Sequence, residues 1–419
     1  MIEAASTDSA AKWLREQLPA MERDLAELVE QNSFTDHKEG GALVGARLRE
    51  LFALPGLAGS ITPSVSGRFA DHLAFRTSSN LAGPRVLLVG HLDTVFPPGV
   101  FEGYRRDGDL RRGPGVLDMK GGLVVVAYAL RALAEAGLLA RVALDVLIVA
   151  DEEVGTPEGR ALIEARANDA DAALVFEAGR AADLIITARK GTGGITAIAT
   201  GRAAHAGNNH AEGANAIWAI AKLADAAQQL TDYARGITVN VGKIEGGQGK
   251  NTVPDAARAE IDLRFETKAD GERLVKQLTE LAARASADVA GTSIEIRGGV
   301  LRAPLERTDA SVALMRSYGD IARSVGLGDG EAKLLGGGSD ANTTSALGIA
   351  SIDGLGPRGK GFHTKDEQIE IATMVPKAEA LFRWLSARAV HLDLAVSRRA
   401  LRVAHALPYG CVSSLWYLR

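Results

Sequence analysis

The stretch LIVADEEVG at residues 147–155 sets two adjacent glutamates directly behind an apolar run. The run reads as the end of a buried strand, and Gly155 with Pro157 closes the turn after it. Neighbouring side chains at a strand's edge point different ways. One of Glu152 and Glu153 can therefore bind a cation while the other faces a water as general base, provided the chain supplies further ligands. Residues of the right type recur in the same setting. Residues 86–89 run into GHLDT, and because residues two apart in extended chain share a face, Asp93 can accept the second ring N–H of His91 and fix its tautomer. A turn histidine beside an N-cap aspartate is the alternative. Residues 172–176 lead to Glu177 in the same way. In RGPGVLDMKGG, residues 112–122, the glycines around Asp118 imply a carboxylate that is being placed, and its two oxygens can bridge cations about 3.5 to 4 Å apart. A helix-capping aspartate is the plainer reading. His363 lies in GPRGKGFHTKDE, residues 356–367, with none of the apolar periodicity a core histidine would have around it.

Placing these groups together requires particular elements. Apolar spacing predicts an opening helix over 8–32 interrupted near Pro19, helices at 42–52 and 122–136, and strands at 73–76, 86–89, 144–150 and 172–176. Three of these strands end in a ligand-type residue, His91, Glu153 or Glu177, as expected of an open α/β sheet whose site lies outside the carboxyl ends of its strands. From about residue 188 the order becomes β-α-β-β-α-β: strands at 195–200, 237–243, 258–265 and 293–296, with helices at 214–230 and 271–289. That is the split, ferredoxin-like arrangement. His205, Asn251 and Arg264 fall at its turns or strand ends. Thereafter come a helix at 310–326 and the loop GGGSD at 336–340, in which Gly337 and its neighbours either bind an anionic group or simply pack closely. A final helix covers 374–390. We expect a mixed-sheet α/β catalytic domain with helices on both faces at 1–187 and 301–393, an α+β insert at 188–300, and a tail at 394–419 carrying Arg398, Arg399, Arg402 and Cys411. GGQGK at 246–250 is no phosphate loop, since Ile244 and Asn251 break the spacing, and a hairpin connection accounts for it. His37 and His72, in polar surroundings, are expected at the surface.

Composition narrows the chemistry. With 419 residues the chain has room for two or three domains, and 46% apolar with 24% charged residues is ordinary for a globular protein. A net charge of -4 gives no reason to expect nucleic acid, so a small-molecule or peptide substrate is expected. No apolar run approaches the roughly 18 residues that cross a bilayer, and the N-terminal residues lack an apolar signal core, which points to a cytoplasmic protein without membrane contact. The one cysteine, Cys411, makes no thiolate site, so a metal must be held by His, Asp and Glu.

Six motifs in order, GHLDTVF, GPGVLDMKGG, DEEVG, FEAG, GRAAHAG and GGGSDA, resemble the dinuclear zinc hydrolase family of carboxypeptidase G, acetylornithine deacetylase, succinyl-diaminopimelate desuccinylase and aminoacylase, with the glutamate carboxypeptidase branch nearest. The resemblance spans about residues 10–393. It implies two Zn2+ per chain, with Co2+ or Mn2+ as substitutes: His91 and Glu177 on one, Glu153 and His363 on the other, and Asp118 between them. It implies that Asp93 orients His91, that Glu152 is the general base, and that the bond from Asp118 to Met119 is cis. His205 would reach the partner's site in a homodimer and stabilise the oxyanion, and the insert would serve as dimerisation domain and lid. Arg264, with Asn251 beside it, would clamp the substrate's α-carboxylate. The lysine expected after Glu177 for a glutamate side chain is absent between Gly179 and Ile185, leaving Arg180 or Arg302 as candidates. The implied activity is hydrolysis of the amide bond to a C-terminal amino acid, glutamate foremost, from folate-like or N-acylglutamate substrates. N-acyl-amino-acid deacylation is the nearest alternative, and a non-catalytic nucleotide-binding α/β protein the rival from another class.

Overall fold

The computed structural model describes residues 2–78, 81 and 83–404. A six-stranded sheet runs through it in the order Ala58–Thr62, His72–Arg76, Leu144–Val149, Val86–His91, Ala172–Val175, Ala350–Ile352. The last four strands are parallel, and the first two extend the sheet antiparallel. Helices Leu18–Glu30, Lys120–Glu135, Asp309–Ser324 and Met374–Ala404 pack on one face, and Gly159–Ala167 with Asp340–Ala346 on the other. Every residue of Val86–His91, Leu144–Val149 and Ala172–Val175 is consequently buried, which is why these strands read as unbroken apolar runs. The mixed sheet with helices on both faces is as expected.

A second sheet, antiparallel and four-stranded, takes Gly191–Thr200, Thr238–Gly246, Ala256–Phe265 and Ser293–Arg302 in the spatial order second, third, first, fourth. Helices Ala216–Gln228 and Lys268–Asp288 cover one face, seating Ile220, Leu223, Leu274 and Leu278 against Ile195, Ala197, Ile261 and Leu263. Both helices start at capped ends, Asn215 accepting the Trp218 N–H and Thr267 the Asp270 N–H. GGQGK lies at the exposed end of this sheet, in the connection between its second and third strands.

Several elements depart from their expected bounds. The strand expected at 293–296 continues to Arg302, past the anticipated boundary at 300, because backbone pairing to Gly193 and Thr192 persists after the apolar alternation stops at Gly298 and Gly299. The final helix runs on through Ala404, so residues 394–404 of the expected tail are helical, and Cys411 lies outside the described residues. The opening helix breaks into Ile2–Arg15 and Leu18–Glu30 with Pro19 in the first turn of the second, where a missing N–H costs nothing. His72 is a correction: it is 2% exposed, and its Nδ1 accepts the Ala150 N–H at 3.2 Å. Its polar sequence neighbours concealed a strand covered on both sides. His37 is half-buried. Among the described residues no helix is long and apolar enough to cross a membrane.

Candidate active site

Three parallel strands deliver their ends to one rim of the larger sheet. His91 closes Val86–His91, Glu153 lies in the short turn Glu152–Val154 after Leu144–Val149, and Glu177 follows Ala172–Val175. Asp118 precedes helix Lys120–Glu135, joined to Met119 by a cis peptide bond as anticipated. His363 comes from the loop before Gln368–Glu370, with a positive φ of 61°. Asp118's two oxygens face different neighbours. Oδ1 is 3.3 Å from His91 Nε2, which lies 3.6 Å from Glu177 Oε1, whereas Oδ2 is 3.4 Å from His363 Nε2, itself 3.1 Å from Glu153 Oε2. Ligand atoms of His91, Asp118 and Glu153, and separately of His91, Glu152 and Glu177, lie within 4.8 Å of one another.

The surrounding shell holds these groups in place. Asp93 accepts from Thr35 Oγ1 at 2.8 Å and from the N–H groups of Glu152 and Glu153 at 3.2 Å each. His91 Nδ1 is 3.0 Å from the main-chain oxygen of Asp93 and 3.4 Å from its Oδ1, so the expected orienting contact runs mainly through the backbone. Glu367, four residues beyond His363, accepts the N–H groups of Gly115, Leu117 and Asp118 at 3.1, 2.9 and 3.0 Å. It binds the two ligand-bearing loops to each other. Nothing in the sequence around Glu367 distinguished it from an ordinary loop glutamate.

Burial and mutual hydrogen bonds pull the five groups in different directions. Burial disfavours charge on His91, yet hydrogen bonds to Asp118, Asp93 and Glu177 outweigh it and hold the imidazolium well above its usual range. His363 is pushed up to about 10, chiefly by hydrogen bonds to Asp118 and Glu153. Burial lifts Glu177 well above the carboxylate range and Glu153 to about 8. It pushes Asp118 the same way, but the two histidines overcome it and hold that carboxyl low. Two imidazoles and three carboxylates without a thiolate suit zinc, and also cobalt or manganese. The donor set therefore fits a pair of divalent ions, one on each side of Asp118.

A cavity of about 260 Å³ opens beside this cluster, lined by Asp118, Glu152, Glu153, Glu177, Arg180, Arg189, Phe362, His363 and the Gly336–Gly338 backbone. Arg180 and Arg189 in its wall, and Arg302 behind Glu152, differ in what they hold. Arg189, which the sequence reading missed, donates to Asp353 at 2.6 Å and to the Gly337 carbonyl at 3.2 Å. Arg302 donates to Glu152 Oε1 at 2.8 Å and Thr156 Oγ1 at 3.0 Å, so it is not the spare cation anticipated for a substrate carboxylate. Arg180 stands over the Phe362 ring, 5.2 Å from its centroid, and its buried Nε has no hydrogen-bond partner. The glycine loop is not an anion-binding helix end. Helix Asp340–Ala346 is closed by its own capping box of Ser339 and Asn342, and the loop instead walls the cavity.

The remaining expected residues lie elsewhere. His205 is exposed on the two-residue strand Ala204–His205, paired to Thr252–Val253, and its Nδ1 accepts the Gly207 and Asn208 N–H groups at 3.1 and 3.0 Å. Asn251 adjoins it, its carbonyl accepting the Ala206 N–H at 2.9 Å. Arg264 is bidentate to Asp262 at 2.9 and 3.2 Å. None of these three lines the cavity.

A parallel-sheet rim that gathers imidazoles and carboxylates around one shared aspartate, beside a cavity, is the architecture of a metallohydrolase. The chain matches the model for peptidase family M20/M25/M40 over residues 87–387 and belongs to that family of metallopeptidases. It is 29% identical over 367 residues to carboxypeptidase G2 of Pseudomonas sp. (strain RS-16), covering 86% of this chain and 87% of that one. It is 26% identical over 393 residues to succinyl-diaminopimelate desuccinylase of Leptothrix cholodnii, covering 86% and 97%. Its fold resembles aminopeptidase PepT from Bacillus cereus, with a TM-score of 0.73 at 23% identity over 89% and 98% of the two chains. It also resembles the M20 family metallo-carboxypeptidase Sso-CP2 from Sulfolobus solfataricus, with a TM-score of 0.66 at 16% identity over 88% and 99%.

Proposed function

We propose that the chain is a zinc-dependent carboxypeptidase that hydrolyses the amide bond to a C-terminal amino acid, glutamate foremost, in folate-like or N-acylglutamate substrates. The observation that carries the reading is the division of Asp118, one oxygen toward His91 and Glu177 and the other toward His363 and Glu153. Two cations held there would supply the charge that acidifies water and polarises a carbonyl oxygen. Glu152, on the cavity wall, takes a proton from the attacking water as its oxygen joins the carbonyl carbon. It returns that proton to the nitrogen as the C–N bond breaks, so the products are a carboxylic acid and a free amine. Asp93 keeps both glutamates and His91 in register.

His205 fits the role of oxyanion donor from a second copy. Two backbone N–H groups occupy its Nδ1, which assigns the neutral ring's proton to Nε2 and turns that nitrogen into a donor. A homodimer in which the four-stranded sheet closes over a partner's cavity would bring it, Asn251 and Arg264 to the substrate. The preference for glutamate is supported by Arg180, which lines the cavity and whose buried Nε has no hydrogen-bond partner. An arginine poised in this way favours an anionic group on the substrate. Deacylation of an N-acyl diamino acid is the second reading, favoured by the alignment along nearly all of a desuccinylase.

The test is a panel of substrates. Zinc-loaded protein is assayed on N-acyl amino acids that differ only in the C-terminal residue, alongside Glu152→Ala. We expect cleavage fastest before glutamate, and a variant that keeps its zinc while losing about 10²- to 10⁴-fold in rate. Equal rates for all residues reject the glutamate preference, and an active Glu152→Ala rejects the base.

A further inference from the structure

We propose that Arg302 is a positioning residue that holds the Glu152 carboxylate, fastening the last strand of the four-stranded sheet to the group that carries the proton. The proposal rests on the hydrolase reading of Glu152. Arg302 closes the strand Ser293–Arg302 and is paired opposite Thr192 across a register shift that follows Val300. The extra residue at that shift is Leu301, which is 55% exposed. Because strand side chains alternate, an unbroken ladder would send residues 300 and 302 to the same face, whereas one inserted residue sends 302 to the other. Val300 is exposed, and Arg302 is only 7% exposed. The irregularity is thus what aims the guanidinium into the larger sheet's rim.

Once there, its hydrogen bonds are specific. Nη1 donates to Glu152 Oε1 at 2.8 Å and Nη2 to Thr156 Oγ1 at 3.0 Å, and Nη1 is 3.8 Å from Asp340 Oδ1. Thr156 in turn donates its hydroxyl to Asp340 Oδ1 at 2.6 Å, so the arginine, the base, a threonine and a buried aspartate form one network. The aliphatic stem passes beneath the glycine loop. A Cβ at Gly338 would lie 2.8 Å from Arg302 Cδ, so the loop's lack of a side chain is what admits the arginine. Two of the buried guanidinium's donors are committed in this way, one of them to Glu152. The guanidinium fixes the direction of the Glu152 carboxylate and ties the end of strand Ser293–Arg302 to it.

The experiment uses the full-length zinc-loaded protein and the variants Arg302→Lys, Arg302→Met, Glu152→Ala and the double variant Arg302→Met with Glu152→Ala. Arg302→Met lowers kcat by about 10- to 100-fold with KM, zinc per chain and the order of preference among C-terminal residues unchanged, and lysine recovers part of the loss. In the Glu152→Ala background the same substitution changes the residual rate no further. Denaturant midpoints supply a readout apart from activity: each single variant is destabilised, and the double variant is less destabilised than the sum, because neither charge is left buried alone. A selective rise in KM for acidic substrates, multiplicative rate losses in the double variant, or additive midpoints overturn the proposal. Should Arg302→Met not fold, Arg302→Lys carries the same comparison in both backgrounds. An active Glu152→Ala sinks the hydrolase reading of the base, whereas failure of the coupling with that variant inactive sinks the role of Arg302 alone.

Discussion

The rim of the parallel sheet and the antiparallel sheet beside it are built to different degrees of completeness. At the rim, His91, Asp118, Glu153, Glu177 and His363 already face one another at 3.1 to 3.6 Å, and Asp93 and Glu367 fix the backbones that carry them. On the antiparallel side, His205 is exposed on a separate two-stranded ladder, and Arg264 in the four-stranded sheet is occupied by its neighbour Asp262 two residues away in the strand. A metal centre can be assembled by one chain from strand ends because parallel strands fix their termini in register. Residues that must touch a substrate which enters and leaves are better carried on an element that moves. On the proposed function, geometry finished at rest would serve binding of cations, and geometry unfinished at rest would serve turnover.

The contrast can be broken in order of expected effect. Asp118→Ala removes the group shared by both halves, and elemental analysis should find the zinc content of the purified protein collapsed and hydrolysis abolished. Retention of both ions would show that the two halves assemble without it. On the other side, His205→Ala should leave zinc intact while lowering kcat by about 10²- to 10³-fold, as removal of one oxyanion donor does. Mixing it with Glu152→Ala sharpens the point. If His205 serves the partner's cavity, the mixture recovers activity that neither variant has alone, and if it does not, no activity returns.

Smaller effects follow at the cavity wall. Arg180→Ala should lower kcat/KM for glutamate-terminated substrates by about 10- to 100-fold, the worth of a charge-assisted hydrogen bond, and barely alter neutral ones. An equal loss for both kinds assigns Arg180 to the framework instead. The pH dependence of metal loading is smaller still. His91 and His363 hold protons above the usual imidazole range, and a cation must displace them, so the apo form binds more protons and zinc affinity falls as pH is lowered. Calorimetry in buffers of differing ionisation enthalpy should register proton release on zinc binding, and none would mean that the histidines are neutral beforehand.

Much of the rim was legible in the sequence because apolar strands that end in His, Glu or Asp carry a pattern of their own. Residues 91, 153 and 177 follow such runs, and glycine density marked Asp118. The antiparallel sheet was legible as an order of elements but not at its ends. The strand to Arg302 continues through glycines that lack any apolar alternation, and the shift after Val300 that turns Arg302 inward has no local signature. His72 and Glu367 were illegible for a related reason: each derives its role from partners far along the chain, Ala150 for one and the backbone at residues 115–118 for the other. For Arg302 the residue type was visible in the sequence and its partner, Glu152, was not.

On the proposed function, two divalent ions share Asp118. Crystals of the zinc-loaded protein, with diffraction recorded on both sides of the zinc absorption edge, examine it directly. Two anomalous peaks are expected about 3.5 to 4 Å apart, one against His91 and Glu177 and one against Glu153 and His363, with an Asp118 oxygen on each. A single peak, or peaks away from Asp118, would contradict it.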